Sequence, residues 1–336
     1  MFSNQTGVWA RLLLLLLCSG CAQVSSTGPR LDPAIMSDEM LPGDEISLPD
    51  VIAETSALIC LPDQQFLTVN DSGQPAVIHQ INLQGNVVNT YPLDISNVDW
   101  EAMTTDGQRL WIADIGNNSG QRQQLQIHQL QLPLTAPTQI SSTLQLRYAQ
   151  QPQPPVQPYQ HDFDAEALAI AGNQLIMFSK NWLSQGTDVY RIQPAIPANA
   201  APLADISQRQ STAVQHQRLE QIARVHPLPG VLTDATFSEQ HQVFVVTGYA
   251  NFQRNMLNML LYDDYRPFIA LLDRQFKLLA SMPVAQGGQL EAVCLDQQQM
   301  IWLTQEKSKK RPALLWRYGS LSQWLQRLSQ KSSQIN

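Results

Sequence analysis

Carboxylates recur at one position of a repeated sequence pattern. In each copy a polar residue precedes an alanine, which an apolar run, a short turn and a second apolar run follow. The polar position is filled by Ser56, Glu101, Glu166, Asp234 and Glu291. Grouped carboxylates repel one another unless they are protonated, hydrogen-bonded or bound to a cation, and Ca²⁺ or Mg²⁺ suits such oxygen ligands. The pattern therefore predicts either a cation site or hydrogen bonds that lock neighbouring units together, and both interpretations stay open.

Two copies carry a second carboxylate two residues earlier. Asp99 precedes Glu101 and Asp164 precedes Glu166, whereas the uncharged Gln289 precedes Glu291. Residues two apart on a strand face the same way, so each acidic pair can chelate one cation. The candidate metal ligands are thus Asp99, Glu101, Asp164, Glu166, Asp234 and Glu291.

A second polar set ends the second strand of each copy. Its members are Asn70, Asp114, Ser179, Thr247 and Thr304. In an antiparallel hairpin the start of the first strand lies beside the end of the second, so this set shares a face with the carboxylates. Further polar residues follow on the same side, namely Asp71, Asn117, Lys180, Asn181 and Glu306. We expect this face to form the mouth of a central channel.

Motifs of the common enzyme classes are absent from the sequence. There is no Gly-x-Ser-x-Gly elbow, no His-Glu-x-x-His and no Gly-rich phosphate loop. His161 can serve as a general base beside Asp164, although a histidine in a surface loop is the simpler interpretation. No catalytic residue is assigned, and the sequence leaves open whether the protein is an enzyme.

The repeat itself indicates how these residues are positioned. Short apolar strands separated by turn residues such as Asp106-Gly107 are typical of hairpins, and four antiparallel strands per copy describe a propeller blade. The copies recur at intervals that each hold one blade of about 40–50 residues and a loop, which favours five blades over six. The last blade needs a fourth strand, and the segment 45–50 can supply it and close the ring.

Two long polar stretches interrupt the pattern. Residues 148–161 and 194–224 are rich in Pro, Gln and Ala and are predicted to be surface loops, unless one of them hides a sixth blade. At the end of the chain, the apolar residues Leu321, Trp324, Leu325 and Leu328 have the spacing of a short amphipathic helix that lies on the ring.

The N-terminus has the parts of an export signal. Arg11 precedes the apolar run 12–17, and Cys18-Ser19-Gly20-Cys21 follows. Small residues before a cysteine resemble the bacterial lipoprotein signal, which implies lipidation at Cys21; an ordinary cleaved signal is the alternative. Ala22 resembles the sorting residue of lipoproteins sent to the outer membrane, on its periplasmic or surface side. The expected organisation is a signal peptide (1–20), a flexible tether (21–43), one all-β propeller (44–320) and a C-terminal helix and tail (321–336).

The composition of the chain limits the classes of molecule that it can bind. The net charge of −7 and the pI near 5.3 argue against nucleic acid, and 43% hydrophobic residues are ordinary for a globular protein. Beyond the signal, Cys60 and Cys294 lie in apolar strands, which favours two buried free thiols. In an oxidising compartment the two can instead form a disulfide.

Two motifs carry a family resemblance. Asp-x-Glu-Ala before an apolar strand, with Trp-Ile-Ala-Asp-Ile-Gly-Asn-Asn at 111–118 and Leu-Ile-Met-Phe-Ser-Lys-Asn-Trp at 175–182, resembles uncharacterised bacterial β-propeller lipoproteins related to the esterase-like phytase group. The resemblance implies a propeller with calcium sites at Asp99, Glu101, Asp164 and Glu166. We expect a membrane-anchored binding or scaffold module that holds Ca²⁺ or Mg²⁺, uses no organic cofactor, and presents its face to a protein or a small molecule. The alternative is a calcium-dependent phosphoesterase or esterase-like hydrolase at the channel mouth.

Overall fold

The strands assemble into five sheets arranged as the blades of a propeller. The computed structural model describes residues 45–153, 156–193, 213–250, 265–284 and 288–335. The predicted signal peptide, Cys21 and the tether lie outside these residues. The five-bladed, all-β fold predicted from the repeat is confirmed.

Each blade is an antiparallel meander whose first strand is innermost. The chain begins with β1 (Ile46–Ser47), and two short 3-10 turns occupy Asp50–Ile52 and Pro62–Gln64. The first blade consists of β2 (Thr55–Leu61), β3 (Gln65–Asn70), β4 (Val77–Asn82) and β5 (Val87–Pro92). The second consists of β6 (Trp100–Thr105), β7 (Arg109–Asp114), β8 (Leu125–Gln131) and β9 (Ser142–Tyr148).

The later blades repeat this order. The third contains β10 (Ala165–Ala171), β11 (Gln174–Ser179) and β12 (Thr187–Ile192), and its fourth strand comes after β13 (Ala213–Leu219) as β14 (Gln221–Val225). The fourth contains β15 (Val231–Ser238), β16 (Val243–Ala250), β17 (Arg266–Asp273) and β18 (Leu278–Pro283). The fifth contains β19 (Leu290–Leu295), β20 (Met300–Gln305) and β21 (Leu314–Ser320). The inner strands β2, β6, β10, β15 and β19 contact one another in ring order.

The ring is closed in two ways. Strand β1 pairs with β21, with Ile46 opposite Leu315, so the N-terminal segment completes the fifth blade as predicted. A disulfide also joins Cys60 in β2 to Cys294 in β19, with their Cα atoms 5.6 Å apart. The interpretation as two free thiols is therefore wrong, because neighbouring positions on the first and last blades bring the two sulfurs together.

The core lies between blades. Because each sheet packs against a neighbour on both faces, the second strands are mostly apolar and buried on both sides, as in Leu110 to Ala113, all at most 2% exposed. Large side chains such as Trp100, Phe66 and Phe178 fill these interfaces. The apolar runs recognised in the sequence are thus the strands that form the propeller core.

One polar stretch is not simply a loop. Within the segment predicted as a surface loop at 194–224, β13 adds in parallel to the outer edge of β9, and β14 completes the third blade. Outer strands face solvent, so they lack the apolar pattern that identifies inner strands; Val214 in β13 is 48% exposed. The other stretch, 148–161, contains no strand after Tyr148 in the part that the structure describes.

The chain ends in α1 (Leu321–Ile335), which lies on the ring as predicted. Leu321 and Trp324 are fully buried, and Leu325 and Leu328 pack half-buried against the core between the fourth and fifth blades. Among the described residues, no helix has the length and apolar character needed to cross a membrane.

Candidate functional site

A β-bulge recurs at the start of the inner strand of every blade. In each first hairpin the register shifts by one residue, which leaves one residue without a direct partner. The bulged residues are Ser56, Glu101, Glu166, Thr233 and Glu291. A bulge redirects a side chain, so all five blades turn the side chain at this position out of the regular strand alternation.

The position of the bulge shows that the fourth copy of the repeat was aligned one residue too late in the sequence. Thr233, not Asp234, is the equivalent of the glutamates. The ends of the second strands shift in the same way, because the residues equivalent to Asp114 are Gly248 and Gln305 rather than Thr247 and Thr304.

The central pocket opens on the face where these bulges lie. It has a volume of about 210 Å³ and is lined by residues from all five blades. Its carboxylates are Asp71, Glu101, Glu166, Glu291 and Glu306. Against these five acidic groups the lining contains a single basic residue, Lys180. The pocket is therefore strongly acidic for its size.

Three carboxylates of the first and second blades form a compact triad. Asp71, Asp99 and Glu101 each offer one oxygen, and these oxygens lie within 4.8 Å of one another. Asp71 follows β3, Asp99 precedes β6, and Glu101 is the bulged residue of β6. Asp71, expected from sequence only as a polar residue of the mouth, is thus the third member of the predicted Asp99–Glu101 pair.

Gly116 explains part of the motif at 111–118. It lies against the triad, and a Cβ atom there would overlap Glu101 Oε1 and the carboxyl group of Asp99. Its amide also donates to the carbonyl of Asp99 at 3.1 Å. Glycine at this position permits the close approach of backbone and carboxylates that the triad requires.

The third and fourth blades contribute an ammonium group and aromatic rings. Lys180 Nζ lies 2.9 Å from Glu166 Oε1, 4.8 Å from the centroid of the Trp182 ring and 5.2 Å from that of Tyr249. Although burial disfavours the charge, attraction to Glu166 and the neighbouring carboxylates raises the pKa of Lys180 well above its ordinary value. The lysine is therefore protonated in the pocket wall at neutral pH.

The fifth blade contributes Glu291 and Glu306. Glu291 is 4% exposed, and its Oε1 has no hydrogen-bond partner among the described residues. Burial raises its pKa to about 7, and burial together with the charges of Glu291 and Asp71 raises that of Glu306 well above the ordinary range. Burial and the neighbouring Asp71 and Asp164 likewise raise the pKa of Asp99 to about 7. The pocket thus holds more carboxyl groups than its own lysine can keep ionised.

Two of the predicted metal ligands, Asp164 and Asp234, make other contacts instead. Asp164 accepts hydrogen bonds from the amide of Asn117 and from Trp182 Nε1, so both of its oxygens are engaged beside the pocket. Asp234 accepts from the amide of Val293 in the next blade at 2.8 Å. Neither residue lines the pocket.

The hydroxyl members of the bulge position lock blades together. Ser56 Oγ donates to the carbonyl of Trp100, and Thr233 Oγ1 donates to that of Leu290, both at 2.7 Å. Each acceptor belongs to the residue just before the bulge of the following blade. Hydrogen bonds that lock neighbouring blades, one of the two roles predicted for this position, are therefore made by its short, uncharged residues, Ser56 and Thr233.

The remaining predicted mouth residues are buried beside the pocket in hydrogen bonds of their own. Asn70 donates to the carbonyl of Val51, and Asp114 pairs with Arg122 at 2.5 Å. Asn117 donates to the carbonyl of Phe163, and Asn181 accepts from Ser179 Oγ.

His161 does not face the pocket. It is 3% exposed, and its Nδ1 accepts from the amide of Phe163 at 3.1 Å. The interpretation as a surface histidine is therefore wrong, because the loop folds back onto the second and third blades.

Sequence reasoning missed the aromatic part of the pocket. Tyr159, Trp182, Tyr249 and Tyr265 line it, together with Asn118 and Gln289. These residues come from loops and strand ends at unequal distances from the repeated motif, so no periodic pattern identifies them.

Comparison with known proteins found similar chains only among solved structures. No protein-family model and no curated protein matches it. Among solved structures, it is similar to a protein of unknown function from Bacteroides caccae (9% identity, TM-score 0.40, 78% of this chain and 77% of the other). It is also similar to the Dos1 propeller (9% identity, TM-score 0.34, 74% of this chain), of which it spans about half, 52%.

Proposed function

We propose that the protein is an exported, lipid-anchored binding module that holds a calcium ion at Asp71, Asp99 and Glu101. A five-bladed propeller with a pocket at its centre is an architecture suited to binding or scaffolding. The observation that carries the calcium proposal is the approach of three carboxylate oxygens from two blades to within 4.8 Å of one another.

The donor set fits the ion. Calcium binds oxygen ligands at about 2.3–2.6 Å, so two oxygens on one ion are at most about 5 Å apart. The triad satisfies this limit with carboxylates alone, and these are the hardest ligands that a protein offers. Burial without a countercharge disfavours their ionised forms, and a bound cation would remove that penalty.

A bound calcium ion would supply positive charge and open coordination positions to an incoming oxygen ligand. The chain's own residues would shape that access. Gly116 keeps the backbone close to the triad, and Trp182, which donates to Asp164, forms part of the pocket wall.

Calcium binding is tested by titrating the chelator-treated full-length protein and by thermal unfolding. A ligand at about 100 times its dissociation constant adds roughly 2.7 kcal/mol of stability. We expect Asp99→Asn to abolish the calcium response and Asp94→Asn, the same change at an exposed site, to preserve it. A wild-type protein without heat of binding or thermal shift would refute the proposal, as would an unchanged response in Asp99→Asn.

The lipid anchor is proposed from the N-terminal sequence. Cys21 follows a short apolar run and small residues, and the disulfide between Cys60 and Cys294 is typical of an oxidising compartment. We expect Cys21→Ser to move the protein from the outer-membrane fraction to the soluble fraction. Continued membrane attachment of that variant would contradict lipidation at this residue.

A second candidate function is a cation-dependent hydrolase of phosphoesters or esters. The observation that favours it is the protonated Lys180 in the pocket that Asp71 and Glu101 of the triad also line, because a calcium ion and an ammonium group together can hold an anionic ester. Turnover of phosphoester and ester panels by the wild type, lost in Glu101→Gln and in Asp99→Asn, would support it. A wild type without turnover in the presence of calcium would exclude it.

A further inference from the structure

The pocket wall already holds an ammonium group. Lys180 Nζ is bound by one carboxylate, Glu166, and lies within reach of the faces of Trp182 and Tyr249. A carboxylate with aromatic faces is the arrangement that attracts ammonium groups, since the π-face is negative and the carboxylate accepts a hydrogen bond. The chemistry of the third and fourth blades is therefore suited to organic cations.

The adjacent side of the pocket has an unsatisfied acceptor. Glu291 is buried, lines the pocket, and its Oε1 has no hydrogen-bond partner among the described residues. A buried polar atom left without a partner is costly, so turning the Glu291 carboxylate towards a ligand donor in the pocket would remove that cost. Glu306 lines the same side, and Tyr265, whose ring centroid is 5.2 Å from that of Tyr249, continues the aromatic wall.

The size of the pocket limits the ligand. Its volume of about 210 Å³ is below the range of roughly 300–1,000 Å³ that holds drug-sized molecules. A nucleotide or an oligosaccharide is thereby excluded from complete burial, whereas a short aliphatic chain with one charged end fits. Five lining carboxyl groups against one lysine favour a ligand with a positive end, because a bound cation stabilises their ionised forms.

We propose that the pocket binds a small aliphatic primary amine, whose ammonium group donates to Glu291 Oε1 and whose methylene chain packs on Tyr249 and Tyr265. The inference concerns the same pocket as the calcium proposal. It does not depend on that proposal, because neither Glu291 nor the tyrosines belong to the triad.

The first experiment compares simple probes by calorimetry on the full-length protein in chelator near pH 7.5. We expect n-butylamine and 1,4-diaminobutane to bind, and n-butanol to bind at least tenfold more weakly because it has no charge. Tetramethylammonium is expected to bind at least tenfold more weakly than butylamine, since it has no N–H to donate to Glu291. Equal binding of butanol or of tetramethylammonium would overturn the proposal, and so would the absence of butylamine binding.

The second experiment assigns the residues. Glu291→Gln should weaken butylamine binding at least tenfold and change calcium affinity less than twofold, while Glu220→Gln, at an exposed position, should change neither. Tyr265→Leu, a change at a half-buried position, should weaken butylamine binding at least threefold, so the proposal stays testable if Glu291→Gln does not fold. Unchanged butylamine affinity in Tyr265→Leu, or in a folded Glu291→Gln, would overturn it.

The variants also separate the two proposals. Asp99→Asn should abolish calcium binding and preserve butylamine binding. A wild type that binds butylamine through Glu291 but no calcium would refute the calcium proposal alone. A wild type that binds calcium but no butylamine would overturn the amine proposal alone.

Discussion

Replacing Asp99 by asparagine should have opposite effects on calcium binding and on the stability of the calcium-free protein. Burial, with the negative charges of Asp71 and Asp164, raises the pKa of Asp99 from 3.8 to about 7. Between these two values the folded protein carries a proton on Asp99 that the unfolded chain has lost. Stability therefore falls as the pH rises from about 4 to about 7, and above pH 7 the full penalty is present.

The size of the penalty follows from the shift. A rise of about three pKa units corresponds to about 4 kcal/mol at 1.36 kcal/mol per unit. Asp99 is partly exposed, so solvent screening reduces this to about 2 kcal/mol. Asparagine has nearly the same shape without the charge, and it should recover this amount above pH 7, or about 4 °C in Tm for a domain of this size.

The assay is thermal unfolding of the full-length protein in chelator at a series of pH values from 4 to 8. The Tm of Asp99→Asn minus that of the wild type should be close to zero at pH 4 and about 4 °C at pH 8. Asp94→Asn, at an exposed position, should show no such trend. A difference that does not change with pH, or a variant less stable than the wild type at pH 8, would refute the reasoning.

Three other substitutions test the framework that positions the pocket. Replacing both Cys60 and Cys294 by serine opens a loop with a sequence separation of 234 residues and should cost about 2–5 kcal/mol in unfolding experiments, whereas an unchanged Tm would show that β1 alone closes the ring. Trp324→Ala should cost about 3–5 kcal/mol because this side chain of α1 is fully buried, and Gln323→Ala, on the exposed side, should cost less than about 0.5 kcal/mol. Gly116→Ala should push Asp99 and Glu101 apart and lower calcium affinity at least tenfold in calorimetry, with an unchanged β-sheet circular dichroism spectrum; wild-type affinity would show that the triad does not hold the ion.

The blade count could be predicted because the inner hairpins carry a periodic pattern. Two short apolar strands with a turn between them must be buried on both sides, and that requirement leaves a pattern in the sequence, as in Leu110 to Ala113. The outer strands carry no such requirement. Strands β13 and β14 face solvent, and their polar sequences are typical of a linker. Their pairing with β9 and β12 could therefore not be predicted.

Contacts between residues far apart in the sequence could not be predicted for a different reason. Cys60 and Cys294 are brought together only when the ring closes, and their apolar neighbours indicate burial without indicating a partner. The aromatic wall of the pocket could not be predicted for the same reason, since Tyr159, Tyr249 and Tyr265 stand at unequal distances from the repeated motif.

The candidate ligands could be predicted as a group but not one by one. Asp234 precedes an alanine just as the glutamates do, and only the register shows that the bulge falls on Thr233. Asp164 precedes Glu166 just as Asp99 precedes Glu101, yet its oxygens bind Trp182 and the amide of Asn117. Two acidic motifs of the same form thus have different contacts, because the loops that follow β7 and β11 differ.

The bulge position explains why one repeat can serve both of the functions that its sequence suggested. Serine and threonine are short, and from the bulge at Ser56 or Thr233 a hydroxyl reaches only the adjacent carbonyl of the next blade. Glutamate is longer by two bonds, and Glu291 at the equivalent position lines the pocket. The backbone is the same in both cases, so the length and charge of one side chain determine whether a blade fastens its neighbour or contributes to the central site. A serine at a glutamate position should accordingly remove charge from the pocket and add a bond between blades.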